Sequence, residues 1–405
     1  MTDTDKNLKT ALFLSGGGAR AAYQVGVIRA IAEMLPPDSP NPFPILCGSS
    51  AGAINATTLA IYATEFQEGV RRLTRVWRNF HVHHVFRSDT AGVMASGFRW
   101  LAAMFLAGLG PRNPTALLDR APLRHLLIRT LPCDQIQQSI DAGALYALAV
   151  TASGYNSGHS VTFYQGASSI QPWKRSRRMG CASQISIDHL MASSAIPFVF
   201  SASRINREYF GDGSMRQIAP LSPAVHLGAD RVLVVGARLE NGNAPRISSS
   251  EPPSLAQIAG HVLNSIFLDS LEADLERLQR INKTISLLSS AQLYESGVML
   301  RKVETLVISP SQELEVIAAR LAHHLPWTIR FLLRGLGGFR RGGSNLVSYL
   351  LFEKPYTREL IELGYKDAMQ RKDEILTFLQ IPVVTASPPA GSADESSHQA
   401  NGPTY

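Results

Sequence analysis

Residues 46–56 read LCGSSAGAINA: an apolar run, two serines caged by glycines, then helix formers. Gly48 and Gly52 flank Ser50 in the G-x-S-x-G spacing. That spacing lets a strand reverse sharply into a helix with the central hydroxyl held outward at the helix N-terminus. An ordinary turn needs only one glycine and tolerates almost any neighbour. Ser50 is therefore either a nucleophile or a helix cap, and the surrounding chain has to distinguish them.

Outward from this corner the chain alternates between strand and helix. TALFL (10–14) is a short apolar strand ending in glycines, followed by the helical pattern YQVGVIRAIAEML, which stops at Pro36-Pro37. FPIL (43–46) is the next strand and AGAINATTLAIYA the next helix. ALYALAVTASGYNS (144–157) and SVTFYQG (160–166) read as strands, IDHLMASSA (187–195) as a helix ended by Pro197, and DRVLVVGAR (230–238) and VETLVISPS (303–311) as further strands. Such alternation predicts an α/β fold: an open sheet with helices on both faces. Residues 241–255 read as a loop, and beyond about residue 312 the chain turns mostly helical. Residues 382–405, rich in Pro, Ser, Ala and Gly, are expected to be a disordered tail.

The 405 residues can bury a large core, and 45% hydrophobic with 18% charged residues describes an ordinary globular chain. The net charge of +7 suits an anionic membrane surface or nucleic acid. No Arg/Lys-rich arm or RNA-binding aromatic pattern is present, so no nucleic-acid partner is expected. Cys47, Cys133 and Cys181 are scattered without C-x-x-C spacing, which argues against a disulfide framework or a structural zinc site. The apolar run near the N-terminus is too short for a signal-peptide core, and a cytoplasmic location is expected. Residues 91–110 are long enough to span a bilayer, but Arg99 lies near their middle, where a charge costs roughly 2.5–3.5 kcal/mol. They read as part of a helical insertion (81–118), a candidate lid.

Two more stretches carry chemistry. SGGGAR (15–20) follows the first strand, and Gly16, Gly17 and Gly18 let backbone N–H groups converge on a phosphate or an oxyanion. It also fits a dinucleotide fingerprint through Gly16, Gly18 and Ala21, but that needs a second strand ending in an acid, and here the second strand ends in the serine corner. In YFGDGSM (209–215), Asp212 lies between Gly211 and Gly213, either as a turn aspartate or as a carboxylate brought to a neighbouring strand end.

A glycine-rich loop, then G-x-S-x-G about 30 residues on, then D-G-x far downstream, resembles the patatin-like phospholipase family. ASSAIPFVF (192–200) and PLSPA (220–224) resemble its signatures on either side of the aspartate. The resemblance covers residues 8–312, with a helical extension over 313–381 that looks like one found in a bacterial branch. It implies a three-layer fold with a mostly parallel central sheet and a Ser–Asp dyad in place of a triad. By motif position Ser50 would be the nucleophile and Asp212 its general base. Gly17 and Gly18, with Ala51, would supply the oxyanion hole, and Arg20 would hold the glycine loop. Ala21 and Ser214 depart from the family pattern, but both are small. The implied activity is hydrolysis of carboxylic ester bonds in phospholipids or related lipids through an acyl-enzyme, with no metal and no organic cofactor. A dyad also makes a physical demand: burial must raise the pKa of the aspartate for it to serve as a base near neutral pH.

Alternatives remain at this stage. His159, His189 or His226 could complete an α/β-hydrolase triad, and HVHH (His81, His83, His84) could bind metal but lacks ligand spacing. A lipid-binding protein with a decayed site is the non-enzymatic reading. PWTIRFLLRGLGGFRRGG (326–343) sets Arg330, Arg334 and Arg341 on one helical face, either docked on the domain or resting on an anionic, peripheral membrane surface.

Overall fold

The computed structural model describes residues 8–87, 116–236, 252–289, 292, 295, 300–340 and 342–381. Most of the 81–118 insertion, most of the 241–255 loop, Arg341 and the 382–405 tail lie outside them.

Among the described residues ten strands form one sheet: β1 (Thr10–Leu14), β2 (Ile45–Ser49), β3 (Ala147–Gly154), β4 (Ser160–Gly166), β5 (Trp173–Arg175), β6 (Arg178–Ala182), β7 (Ser203–Ile205), β8 (Glu208–Asp212), β9 (Arg231–Val235) and β10 (Glu304–Ile308). The order is β10-β9-β1-β2-β3-β4-β6-β5, with the β7–β8 hairpin joined to β3 through β8. From β10 to β3 every pairing is parallel; β3 pairs antiparallel with both β4 and β8. The parallel strands read as near-continuous apolar runs because both of their faces are covered. Alternation sends Leu12, Leu14, Leu46 and Leu233 into one core, and Ala11, Phe13, Ile45 and Val232 into a second on the opposite face.

The helices among the described residues are α1 (Ala22–Met34), α2 (Ala51–Ile61), α3 (Phe66–Arg78), α4 (Val82–Val85), α5 (Ala121–Thr130), α6 (Gln135–Asp141), α7 (Ile187–Ser193), α8 (Ser222–His226), α9 (Leu255–Asn264), α10 (Ser270–Ser286), α11 (Leu314–Leu321), α12 (Trp327–Gly335), α13 (Ser344–Leu350), α14 (Lys354–Gln370) and α15 (Lys372–Phe378). A π-turn, Ser265–Asp269, joins α9 to α10. The first core is filled from α1, α2, α3 and α14; α8 and α10 supply residues to the second.

The basic stretch 326–343 does not form one helix. Helix α12 ends at Gly335, and Gly337 takes φ +82°, a left-handed turn that ends the helical run. The continuous amphipathic helix expected there is thus corrected to nine residues and a turn.

The C-terminal helices are packed into the body. Gly26 of α1 faces the Ile361 carbonyl of α14, and Gly364 of α14 faces the Tyr23 carbonyl of α1; a methyl group on either would overlap the opposing backbone. Asp367 of α14 accepts bonds from the Tyr23 hydroxyl (3.0 Å) and from the Ser311 backbone N–H (2.9 Å) and hydroxyl (2.6 Å). Because this crossing leaves no room to yield, Gly26→Ala should destabilise the fold by about 3 kcal/mol through overpacking. Urea unfolding measures it; an unchanged midpoint would show that α14 can move away from α1 at little cost.

Candidate functional site

The corner after β2 is set by close packing of α2 on its neighbours. A Cβ on Gly52 would overlap the Leu14 and Ser15 carbonyls, and one on Gly48 would meet the Gly52 carbonyl. With both approaches fixed, Ser50 makes the turn at φ 52°, ψ −130°, a region a non-glycine residue occupies at a cost of about 1–3 kcal/mol. Its backbone N–H donates to Ser193 Oγ (2.9 Å), whose hydroxyl donates to the Thr151 carbonyl (2.6 Å). Ser50 is 2% exposed.

Sheet register brings Asp212 to this corner. Ser49 pairs with Thr151 on β3, and the next β3 residue, Ala152, pairs with Asp212 at the end of β8. Gly213 follows, so close to the Thr151 carbonyl that a side chain has no space. Asp212 Oδ1 accepts from the Ser214 N–H (3.0 Å), and the Ser214 hydroxyl meets that of Ser49 (3.0 Å). Oδ2 is the sole carboxylate oxygen among the four buried side-chain polar atoms that have no hydrogen-bond partner in the described residues. Burial pushes the Asp212 carboxyl up from 3.8 to about 6, against the opposing pull of the Ser50 hydroxyl, Ser214 and the Arg120 guanidinium.

Arg120 is itself 5% exposed. It donates to the Met191 and Ser201 carbonyls and to Ser203 Oγ, tying together the segment that precedes β8. Burial pushes its guanidinium down to about 10, partly offset by the Asp212 charge.

Gly18 begins a single helical turn, Gly18–Ala21, and Ala51 begins α2. First-turn positions leave N–H groups without intrahelical acceptors. Gly18, Ser50 and Ala51 line one cavity of about 580 Å³. Gly17 precedes Gly18 without lining that cavity, and Gly16 packs against Phe267 of the π-turn. Arg20 points away from the cavity into the C-terminal helices. It donates to Ser348 Oγ (2.7 Å), Asn345 Oδ1 (3.0 Å) and Asn264 Oδ1 (3.3 Å), and its guanidinium lies 4.1 Å from the Tyr349 ring centre.

Beyond Ser50 the cavity follows one side of α2 through Ile54, Thr58 and Tyr62, a run of about 18 Å at helical rise. Its other walls include Leu73, Trp77, Phe80, Leu123, Leu127 and Phe352. The walls are thus mostly apolar, with a serine hydroxyl and two helix starts at one end of the α2 run.

The histidines lie elsewhere. None lines the cavity among the described residues. His189 bonds to Ser186, His226 to the Ser222 carbonyl and His159 to the Ser157 carbonyl. His81 pairs with Glu353 (2.7 Å), and no group of three or more His, Cys, Asp or Glu among the described residues is arranged to hold a metal ion. The residues that the sequence did not single out are Ser193, Ser49 with Ser214 as a bonded pair, and Arg120. Ser193 does fall inside the ASSAIPFVF stretch, but nothing in that string says which serine meets the Ser50 backbone.

No helix in the described residues is long and apolar enough to cross a membrane. No curated protein matches the chain. Among solved structures, VipD from Legionella pneumophila is similar at 13% identity and a TM-score of 0.41, over 91% of this chain and 67% of that one. The model of the patatin-like phospholipase family matches residues 12–225, from β1 through the serine corner and Asp212 into α8. On that match, which spans more than half its length, the chain belongs to the patatin-like phospholipase family.

Proposed function

We propose that the protein is a serine acyl hydrolase that cleaves carboxylic esters of phospholipids or related lipids through Ser50 and Asp212. The observation that carries the reading is a sharply turned serine at the corner to which the strand register also brings a buried carboxylate, beside a long apolar cavity. Half of a ~30 Å bilayer core, about 15 Å, is the length of one lipid tail, and the cavity's run along α2 matches it. In this reading one acyl chain lies along α2 with its carbonyl carbon at Ser50.

Ser50 Oγ then bonds to that carbon while its proton passes to Asp212 Oδ2. The carbonyl π electrons move onto oxygen, and the N–H groups of Gly18 and Ala51, which line the cavity, receive that charge. Collapse re-forms the carbonyl, breaks the bond to the alcohol and returns the proton from Asp212 to the leaving oxygen. Water repeats the sequence on the acyl-enzyme, with Asp212 again taking a proton, and releases the fatty acid and free Ser50. The raised pKa is what lets a carboxylate serve in both directions near neutral pH.

Three measurements test this. A fluorescent fluorophosphonate should label the parent protein, with labelling lost in Ser50→Ala; fatty-acid release should fall by about 10³–10⁴-fold in Ser50→Ala and Asp212→Asn. Labelling that persists in Ser50→Ala would place the nucleophile elsewhere. For the parent, kcat/KM should rise with pH and level off above about 6, as Asp212 loses its proton.

Stability should move the opposite way. The folded state keeps this proton between about pH 4 and 6, where the unfolded chain has released it. Unfolding free energy should therefore fall as pH rises across that window. Asp212→Asn should weaken the dependence, leaving the share of Asp274, whose carboxyl burial also raises, and gain about 3 kcal/mol at pH 8, seen as a higher Tm. A Tm difference that does not change with pH would show that the carboxylate is not carrying this cost.

A further inference from the structure

The segment between Glu315 and Glu353 contains no acidic residue and carries five arginines: Arg320, Arg330, Arg334, Arg340 and Arg341. Within it α11 and α12 form a shallow groove of about 380 Å³, lined by Ala319, His323, Trp327, Phe331, Arg334 and Phe339, with Arg330 also on its wall. The aromatic side chains are not buried: Trp327 is 64% exposed, Phe331 68% and Phe339 44%. Trp327 and Phe331, one helical turn apart, meet edge to face at 6.4 Å, so they form one patch. Val316 of α11 is a further exposed apolar residue of these two helices. Arg330, Arg334 and Arg340 make no ion pair among the described residues, whereas Arg320 is held by Glu359.

We infer that the α11–α12 face, with Trp327, Phe331 and Phe339 as its inserted side chains and Arg330, Arg334 and Arg340 as its headgroup contacts, docks the protein on an anionic phospholipid bilayer. This deepens the lipid-hydrolase reading and rests on it for the choice of a bilayer as occupant. Two observations favour a bilayer over a protein partner. The cations make no ion pair among the described residues, Arg330 donating only to the His323 carbonyl (3.3 Å), and they are of one sign, which matches a uniformly anionic surface. The apolar residues are aromatic, including a tryptophan, the side chain that prefers the headgroup level. The short α12 lies on the body with Thr328, Ile329 and Leu333 buried, so its outer side is free to meet a flat surface without unfolding.

Docking is read on Ser50→Ala protein, so the result is independent of whether Ser50 is the nucleophile. In flotation assays this protein should bind mixed phosphatidylglycerol–phosphatidylcholine vesicles and bind pure phosphatidylcholine weakly. Adding Arg330→Gln and Arg334→Gln should lower partitioning onto the mixed vesicles about 30-fold and remove the preference for phosphatidylglycerol. Adding Trp327→Ala and Phe331→Ala should lower partitioning on both vesicle types. Thermal melts should match the parent, since all four side chains are exposed. With Ser50 restored, both double variants should keep fluorophosphonate labelling and hydrolysis of a soluble short-chain ester, and lose hydrolysis of the mixed vesicles. Variants that float like their parent would overturn the docking face and leave the groove to a protein partner. Loss of labelling in the parent would overturn the hydrolase reading alone.

Discussion

The contact on which the site depends is the approach of Gly52 to the Leu14 and Ser15 carbonyls. It presses the first turn of α2 against the end of β1, and this is possible only without a side chain. Once α2 starts there, Ser50 has no route from β2 except through positive φ. The unfavourable backbone is then held from outside: Ser193 Oγ accepts the Ser50 N–H and donates its own hydrogen bond to the Thr151 carbonyl on the next strand. The register of β2, β3 and β8 does the rest, since the strand that carries Thr151 also pairs with Asp212. A packing constraint at one glycine thus reaches both Ser50 and Asp212 through two strand pairings and one hydroxyl.

Burial works against the charge on Asp212 and for its readiness to take a proton. The Ser214 N–H and the field of Arg120 limit the first effect without cancelling it. Arg120 is spent on carbonyls and a hydroxyl that fix the path into β8, with no carboxylate of its own in direct contact among those bonds. Its charge is therefore left to act on Asp212 from a distance. That arrangement tempers the rise that burial imposes on the Asp212 carboxyl.

How much of this was legible in the sequence follows from which forces were local. The strands TALFL and DRVLVV stand out because a parallel strand covered on both faces must be apolar throughout. The serine corner and Asp212 stand out because close backbone approaches demand glycine at fixed offsets. The pieces β5 to β8 do not stand out: they are three to five residues long, partly exposed and rich in Arg and Gly, so no periodicity develops. Ser193 is hidden for a different reason, since its partners are backbone atoms on elements distant in sequence. The length of α12 was misjudged because Arg and aromatic spacing continued past Gly335, while Gly337 had already turned the chain.

Arg20 has a consequence for the order of events during synthesis. The glycine loop emerges among the first residues, and Ser50 and Asp212 follow within the span matched by the family. The groups that brace the loop, Asn264, Asn345 and Ser348, come out hundreds of residues later, as does Tyr349, whose carbonyl abuts Gly18 and whose ring lies beside the guanidinium. Domains generally fold as they leave the ribosome, N-terminal parts first. Here the serine corner can form early, but the loop beside it stays unbraced until α13 has arrived. Whatever that loop supports has to wait for the last third of the chain, so the order of synthesis itself sets when the loop reaches its braced form.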